Sequence, residues 1–245
     1  MIKINDIVQA IFDACINLLF PRRCPVCEDI AEPAGKLICP SCISKLSPVR
    51  QPTCRKCGKE LFSEQAEYCF DCSRHKRSFE SGAALFNYNE AAKRSMAAIK
   101  YRNKREFLDF YAEVMVHRFS HILKNWKPDV LVPIPVHPSR RRRRGFNQAE
   151  ELARRLSCLL DIPIETRLLV RRRKTAPQRE LNPQQRLANL QQAFAVNPKC
   201  PVPRTVILID DIYTTGSTME ACTRVLKAAG VQEVHFLVIC IGGGR

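Results

Sequence analysis

Eight of the chain's 13 cysteines fall into four Cys-x-x-Cys pairs between residues 24 and 72, and no other feature restricts the possible folds as tightly. The pairs are Cys24 with Cys27, Cys39 with Cys42, Cys54 with Cys57, and Cys69 with Cys72; their first members lie fifteen residues apart. Two thiolates at this spacing can turn toward one ion, and two such pairs complete a tetrahedral four-cysteine zinc site. Four pairs therefore predict two zinc ions. The segment is short of apolar residues, so metal is expected to supply much of its folding free energy. Disulfides compete as a reading, but the matched spacings and the lack of a secretory signal weigh against them. A thioredoxin-like redox motif fits less well, because nothing around the pairs reads as a βαβ unit. The sequence leaves open which pairs share an ion; sequential pairing is favoured over a nested or crossed one. Cys15, Cys158, Cys200, Cys222 and Cys240 mostly lie in apolar settings, where a thiol is inert.

At the other end, Val206 to Ile209 is a short apolar run that suits a buried parallel strand. It is expected to end in two adjacent carboxylates, Asp210 and Asp211. A loop, Thr214-Thr215-Gly216-Ser217-Thr218, then leads into an amphipathic helix expected over Ser217 to Ala229, with Gly230 at its C-cap. Carboxylates at a strand's carboxyl end suit the vicinal hydroxyls of a sugar. Hydroxyls and bare N–H groups at a helix N-terminus suit a phosphate. An ordinary βα turn with a Ser or Thr cap explains neither the acidic pair nor the full run of loop residues. The stretch closely resembles the phosphoribosyl-pyrophosphate (PRPP) signature of type I phosphoribosyltransferases. The resemblance implies that Asp210 and Asp211 hold the ribose hydroxyls, and that Thr214, Thr215, Gly216, Ser217 and Thr218 cradle the 5′-phosphate.

From about residue 80 strands and helices alternate. Strands are expected at 83–88, 129–134, 206–209 and 234–241, and helices at 89–101, 107–126 and 147–160, the last stopping before Pro163. This is βαβ logic: an α/β fold with a mainly parallel sheet, whose ligands sit beyond the carboxyl ends of the strands. Three parts are expected: an amphipathic helix over residues 1–20, a double zinc-ribbon module over 21–78, and a phosphoribosyltransferase-like α/β domain over 80–245. The N-terminal stretch is too polar to span a membrane or to form a signal-peptide core. It can dock on the rest of the chain or on a partner or membrane surface. A cytoplasmic location without a transmembrane segment is expected.

The formal net charge of +16 is unevenly spread. Residues 1–80 hold 12 basic and 10 acidic side chains, so the excess belongs to the α/β part and suits polyphosphate or nucleic-acid partners. Its densest run follows the strand at 129–134: Pro133-Ile134-Pro135-Val136-His137-Pro138-Ser139, five arginines (Arg140 to Arg144), then Gly145-Phe146-Asn147-Gln148-Ala149. It reads as a proline-stiffened loop whose guanidinium groups suit phosphate oxygens. A second basic run, Arg171-Arg172-Arg173-Lys174, leads through Arg179 to Arg186. DNA phosphates or solvent are alternative partners for both runs.

Four Cys-x-x-Cys pairs, Arg144-Gly145-Phe146-Asn147-Gln148, Thr175 to Gln178 with Gln185-Arg186, and the later Asp-Asp-x-x-Thr-Thr-Gly together resemble the ComF/GntX family of competence-associated proteins over nearly the full length. The resemblance implies a role in natural transformation: handling imported single-stranded DNA alongside a competence DNA helicase. The resemblance to type I phosphoribosyltransferases implies a pyrophosphate site in the first basic loop, with His137, Ser139 and Arg140 as candidates, and a substrate-covering loop contributing Lys174, Arg179 and Arg186. Arg141, Arg142, Arg143, Arg144, Arg171, Arg172 and Arg173 are the DNA-binding candidates. Phe146, Tyr101, Tyr213 and Phe79 are the aromatics available for base stacking.

Were the protein an enzyme, the reaction would be displacement at the ribose anomeric carbon. Asp210, Asp211 and Arg140 would act at that centre, and Mg2+ would bridge pyrophosphate and ribose hydroxyls. No stretch identifies an acceptor. A non-catalytic DNA binder that holds PRPP, or a zinc-ribbon adaptor for the helicase, are the other readings.

Overall fold

The structure, a computed structural model, describes residues 20–171 and 193–242. The expected helix over residues 1–20, together with Cys15, Arg172, Arg173, Lys174, Arg179 and Arg186, lies outside or almost wholly outside these. Seven strands are described: β1 (Ser47–Pro48), β2 (Gly82–Asn87), β3 (Val130–Pro133), β4 (Leu169–Arg171), β5 (Phe194–Val196), β6 (Thr205–Tyr213) and β7 (Glu233–Ile241). The main sheet has the order β1-β2-β7-β6-β3, while β4 and β5 form a separate antiparallel pair. Strands β2, β7, β6 and β3 are parallel, and β1 runs antiparallel along the outer edge of β2.

Strand pleating sends alternate side chains to opposite faces, and the core divides accordingly. Ile207 and Ile209 of β6 with Leu237 and Ile239 of β7 enter one buried cluster. Val206 and Leu208 with Val234, Phe236 and Val238 enter the other. Helices α1 (Pro40–Ile43), α2 (Phe70–Arg74), α3 (Glu90–Arg102), α4 (Phe107–Trp126), α5 (Pro138–Arg144), α6 (Gln148–Leu160) and α7 (Ser217–Ala228) complete the described elements. Helices α3, α4 and α6 cover the first face. Helix α7 and the β4–β5 pair cover the second. Helix α4 spans the residues expected of it, burying Leu108, Tyr111, Met115 and Phe119 as one stripe.

The cysteine segment folds as two copies of one unit thirty residues apart. Cys24 N donates to Asp29 O at 2.8 Å, and Cys54 N donates to Lys59 O at 2.7 Å. The bridge between Arg23 and Ile30 recurs between Thr53 and Glu60. Neither copy has a core of its own. Cys24, Ala31, Ile38, Cys42 and Leu46 join the α3/α4 side of the sheet. Val49, Cys54, Cys57, Leu61, Cys69 and Phe79 join the α7 side. The two ribbons therefore straddle the sheet, and β1 is the rung between them.

Several details differ from expectation. Strand β6 does not end at the acidic pair but runs through it to Tyr213, with Asp210 opposite Val238 and Ile212 opposite Cys240. Neighbouring β7 is long enough to pair with the extension, which overrides the low strand preference of aspartate. The arginine run is a helix, α5, rather than a loop. Pro138 sits in its first turn, His137 accepts from Ser139 N, and Gly145 ends it at φ +81°. At the end of α7 the C-cap is Ala229, and Gly230 follows it at φ +107°. Of the four stacking candidates, Phe79, Phe146 and Tyr213 are buried in the core, leaving Tyr101 exposed.

Candidate functional site

The loop between β6 and α7 sits at the carboxyl end of the parallel sheet. Gly216 precedes α7 in the left-handed region, at φ +76°. A Cβ there would lie 2.2 Å from the Tyr213 hydroxyl, so this turn admits glycine alone. Tyr213 is fixed beneath it, its ring stacked on Phe236 with centroids 5.0 Å apart. Thr214 and Thr215 are exposed, and Ser217 and Thr218 are half-buried. The Thr215 and Ser217 hydroxyls lie 2.9 Å apart. No side chain caps α7, so its first N–H groups face the same loop without an intrahelical partner.

Because β6 continues through the acidic pair, its two carboxylates meet different surroundings. Asp211 is 5% exposed. Its Oδ2 is ion-paired with Lys100 Nζ of α3, and its Oδ1 accepts from Gln148 Nε2 of α6 at 3.1 Å. Gln148 Oε1 in turn accepts from Arg144 Nη1 at 3.1 Å, and the Arg144 guanidinium lies over the Tyr101 ring, 5.1 Å from its centroid. Asn147 caps α6 and donates to Ile134 O at 3.0 Å, fixing the start of that helix to the end of β3. Asp210 is half-buried, accepts from the Asp211 N–H at 2.9 Å, and is an electrostatic neighbour of Cys222 in α7 and Arg171 in β4.

The titration behaviour follows. Burial and then the Asp211 charge push the Asp210 carboxyl well above the ordinary aspartate range. Burial alone would raise Asp211 too, but the Lys100 ammonium with its hydrogen bond outweighs burial and holds it low. Burial opposes the charge on Lys100, and Asp211 reverses that, leaving the ammonium more firmly protonated than an ordinary lysine.

Helix α5 carries the arginine run past this end of the sheet. His137 Nδ1 lies 2.7 Å from Ser139 Oγ and accepts from Ser139 N at 3.1 Å, so these two candidates form one N-terminal knot. Arg140, Arg141, Arg142 and Arg143 are exposed, with Arg141 3.4 Å from Glu150. Arg144 is half-buried against Gln148. Arg171 is half-buried with its guanidinium 5.2 Å from the Phe194 ring. Burial and then the charge of Arg140 depress its basicity, so Arg140 and Arg171 share one electrostatic neighbourhood with Asp210.

The second ribbon is tied to the same loop. Arg77 Nη2 donates to Thr215 O at 2.9 Å. Ser78 donates to Glu220 of α7 from its N at 2.8 Å and from its Oγ at 2.7 Å. Phe79 packs edge-on against Phe236, beneath Tyr213.

Each ribbon gathers four thiols. The sulfurs of Cys24, Cys27, Cys39 and Cys42 lie within 4.8 Å of one another, and so do those of Cys54, Cys57, Cys69 and Cys72. A tetrahedron with Zn–S bonds near 2.3 Å needs sulfurs about 3.8 Å apart, and Cys57 and Cys69 stand at 3.6 Å. Backbone N–H groups point at the sulfur atoms, from Val26 to Cys24 at 3.5 Å and from Glu32 to Cys39 at 3.4 Å, as in an outer shell that stabilises thiolate ligands. The donor sets fit zinc, and sequential pairing is the arrangement found.

Lys100, Arg77 and Glu220 were not among the residues singled out from sequence, and Gln148 was noticed only as part of a motif. For Lys100 a signal existed. It follows Ala92 by eight residues and Met96 by four, placing a lysine on the buried stripe of α3.

Among the described residues no helix is long and apolar enough to cross a membrane. Residues 15–73 match the double zinc ribbon domain family, and residues 101–245 match the phosphoribosyl transferase domain family. Competence protein F of Haemophilus influenzae is 33% identical over 187 residues, covering 73% of this chain and 80% of that protein. Competence protein ComFC of Streptococcus pneumoniae is 30% identical over 180 residues, covering 73% and 77%. DNA utilization protein YhgH of Escherichia coli K12 is 35% identical over 114 residues, covering 46% and 49%. With a double zinc ribbon joined to a phosphoribosyl transferase domain, the chain therefore belongs to the ComFC-type competence protein family.

Proposed function

We propose that the protein binds PRPP as its Mg2+ complex at the carboxyl end of β6 and acts in DNA uptake, handling single-stranded DNA beside a competence helicase in the cytoplasm. The observation that carries the first part is the sequence of groups along one βα unit: a carboxylate-bearing strand, a left-handed Gly216, clustered hydroxyls and an uncapped helix N-terminus. The carboxylate end suits ribose hydroxyls, and the loop suits the 5′-phosphate. Arg140 and Arg171 suit the pyrophosphate, with His137 and Ser139 in the same turn as Arg140; Lys174 and Arg179, outside the described residues, remain proposed pyrophosphate ligands. When bound, Mg2+ neutralises the pyrophosphate; the chain's own groups orient the ribose and exclude water from it.

The names of the relatives, competence and DNA utilization proteins, support the second part. So does the basic excess of the α/β part, with Arg141, Arg142 and Arg143 turned outward. Calorimetric titration of Mg2+–PRPP into the protein tests the ligand. Binding that survives Asp210→Asn together with Gly216→Ala would remove the assignment. Release of pyrophosphate on adding a panel of bases would extend the reading from binding to turnover.

A further inference from the structure

We infer that the two adjacent carboxylates do different work: Asp210 alone meets the sugar hydroxyls of a phosphoribosyl ligand, while Asp211 is a buried anchor held by Lys100, the residue that positions the pair. The inference rests on the PRPP reading and deepens it. It begins from the different partners that two neighbouring side chains of β6 find, although their carboxyl groups also touch one another. Asp211 turns toward α3 and α6, where both of its oxygens are engaged, one by Lys100 and one by Gln148. Its side chain is 7% exposed and that of Lys100 17%, so neither group is open to a ligand without breaking a buried ion pair. Asp210 is the less buried member and lies toward Arg171, which suits the pyrophosphate.

Lys100 also changes what the pair can do. Neighbouring carboxyl groups disfavour each other's ionisation, and the Lys100 ammonium offsets the charge of Asp211. Gln148 holds the other oxygen of Asp211 and is itself held by Arg144 at the end of the arginine helix. The anchor thus connects α3, α5 and α6 to the one carboxylate that faces the ligand. Without Lys100, burial would push Asp211 toward its protonated form, and Asp210 would lose its fixed position.

Three variants of the full-length, zinc-loaded protein test this, each read by calorimetric titration of Mg2+–PRPP and by thermal melting. Asp210→Asn should weaken PRPP binding by about tenfold or more with little change in melting temperature, since an acceptor for the sugar hydroxyls is lost while the Asp211–Lys100 pair stays intact. Lys100→Met keeps the apolar stem but leaves the buried Asp211 carboxyl without its cation, so both affinity and melting temperature should fall. Adding Asp211→Asn to Lys100→Met removes that ionisable carboxyl. The double variant should bind PRPP more tightly, and melt higher, than Lys100→Met alone. A purely structural role for Lys100 would recover melting temperature without recovering affinity. If Asp211 itself held the ribose, the double variant would bind more weakly than Lys100→Met. Either result overturns the division of labour. Failure of the unmodified protein to bind PRPP would overturn the ligand reading and the role of Asp210 with it, a result seen before any substitution is made.

Discussion

The guanidinium of Arg77 donates to the main-chain carbonyl of Thr215 at 2.9 Å, fastening the segment that leaves the second ribbon to the loop in front of α7. Residues 138 positions apart in sequence thus meet at the proposed phosphate cradle.

Zinc in the second ribbon is therefore expected to shape that cradle, and zinc in the first is not. Cys57→Ser should release one zinc per chain, raise hydrogen exchange at residues 214–218, and weaken PRPP binding by about tenfold, equivalent to about 1.4 kcal/mol. Cys27→Ser should release one zinc with little effect on the loop. Metal analysis and exchange measurements on both variants check the contrast, and equal loop exchange in the two would refute it.

Gly216→Ala places a methyl group against Tyr213 in a left-handed turn. The backbone strain should cost about 1–3 kcal/mol, read as a lower denaturation midpoint. The Tyr213 hydroxyl is buried and, among the described residues, has no hydrogen-bond partner. Adding Tyr213→Phe should recover only part of the loss, because the ring carbon bearing the hydroxyl also stands 2.7 Å from the added Cβ.

His235 gives stability a pH dependence. Its ring lies against Trp126 with centroids 4.4 Å apart, and Nδ1 is 2.9 Å from Ser81 Oγ. Burial depresses its pKa, outweighing Glu80 and Glu233, which act to raise it. Below about pH 6.5 the unfolded chain takes up a proton that the folded one resists. The stabilisation is whole above that pH and is lost as pH falls through the depressed value. Denaturant titrations should show a shallower acid-side decline for His235→Gln; an unchanged slope would exclude this residue as the source.

Arg142→Ala with Arg143→Ala removes two outward-facing cations. Single-stranded DNA affinity should fall, and the slope of log affinity against log salt should decrease by about 1.4, at about 0.7 per phosphate contact. Fluorescence anisotropy at several salt concentrations measures it, and an unaltered slope would move the DNA path elsewhere.

Long periodic elements were legible in the residues. Phe107–Trp126 is a helix end to end because its apolar spacing covers five turns, and the cysteine spacing dictated both four-sulfur clusters. The order of strand, acidic pair, small loop and helix was legible for the same reason. The strand's continuation to Tyr213 was not, because aspartates disfavour strands and the pairing that overrides this comes from β7. The α5 helix was missed because five arginines carry no apolar period, although Pro138 and Gly145 mark its start and stop. Strands β4 and β5 have three residues each, too few for alternation to register. The partners of Asp211 come from two helices distant in sequence, and no local pattern announces such a meeting.

The rung between the ribbons also guards the sheet. Strand β2 is a nearly continuous buried run, Gly-Ala-Ala-Leu-Phe-Asn, and its outer edge is taken by β1 and by the Val49 N–H donating to Leu85 O at 3.0 Å. At the far edge, residues 163–165 hydrogen-bond to Leu131 of β3 and close that side. An uncovered apolar edge is a template for pairing with a second chain. A chain made faster than zinc can reach its ribbons would expose this edge, so metal supply during synthesis helps to decide between folding and aggregation.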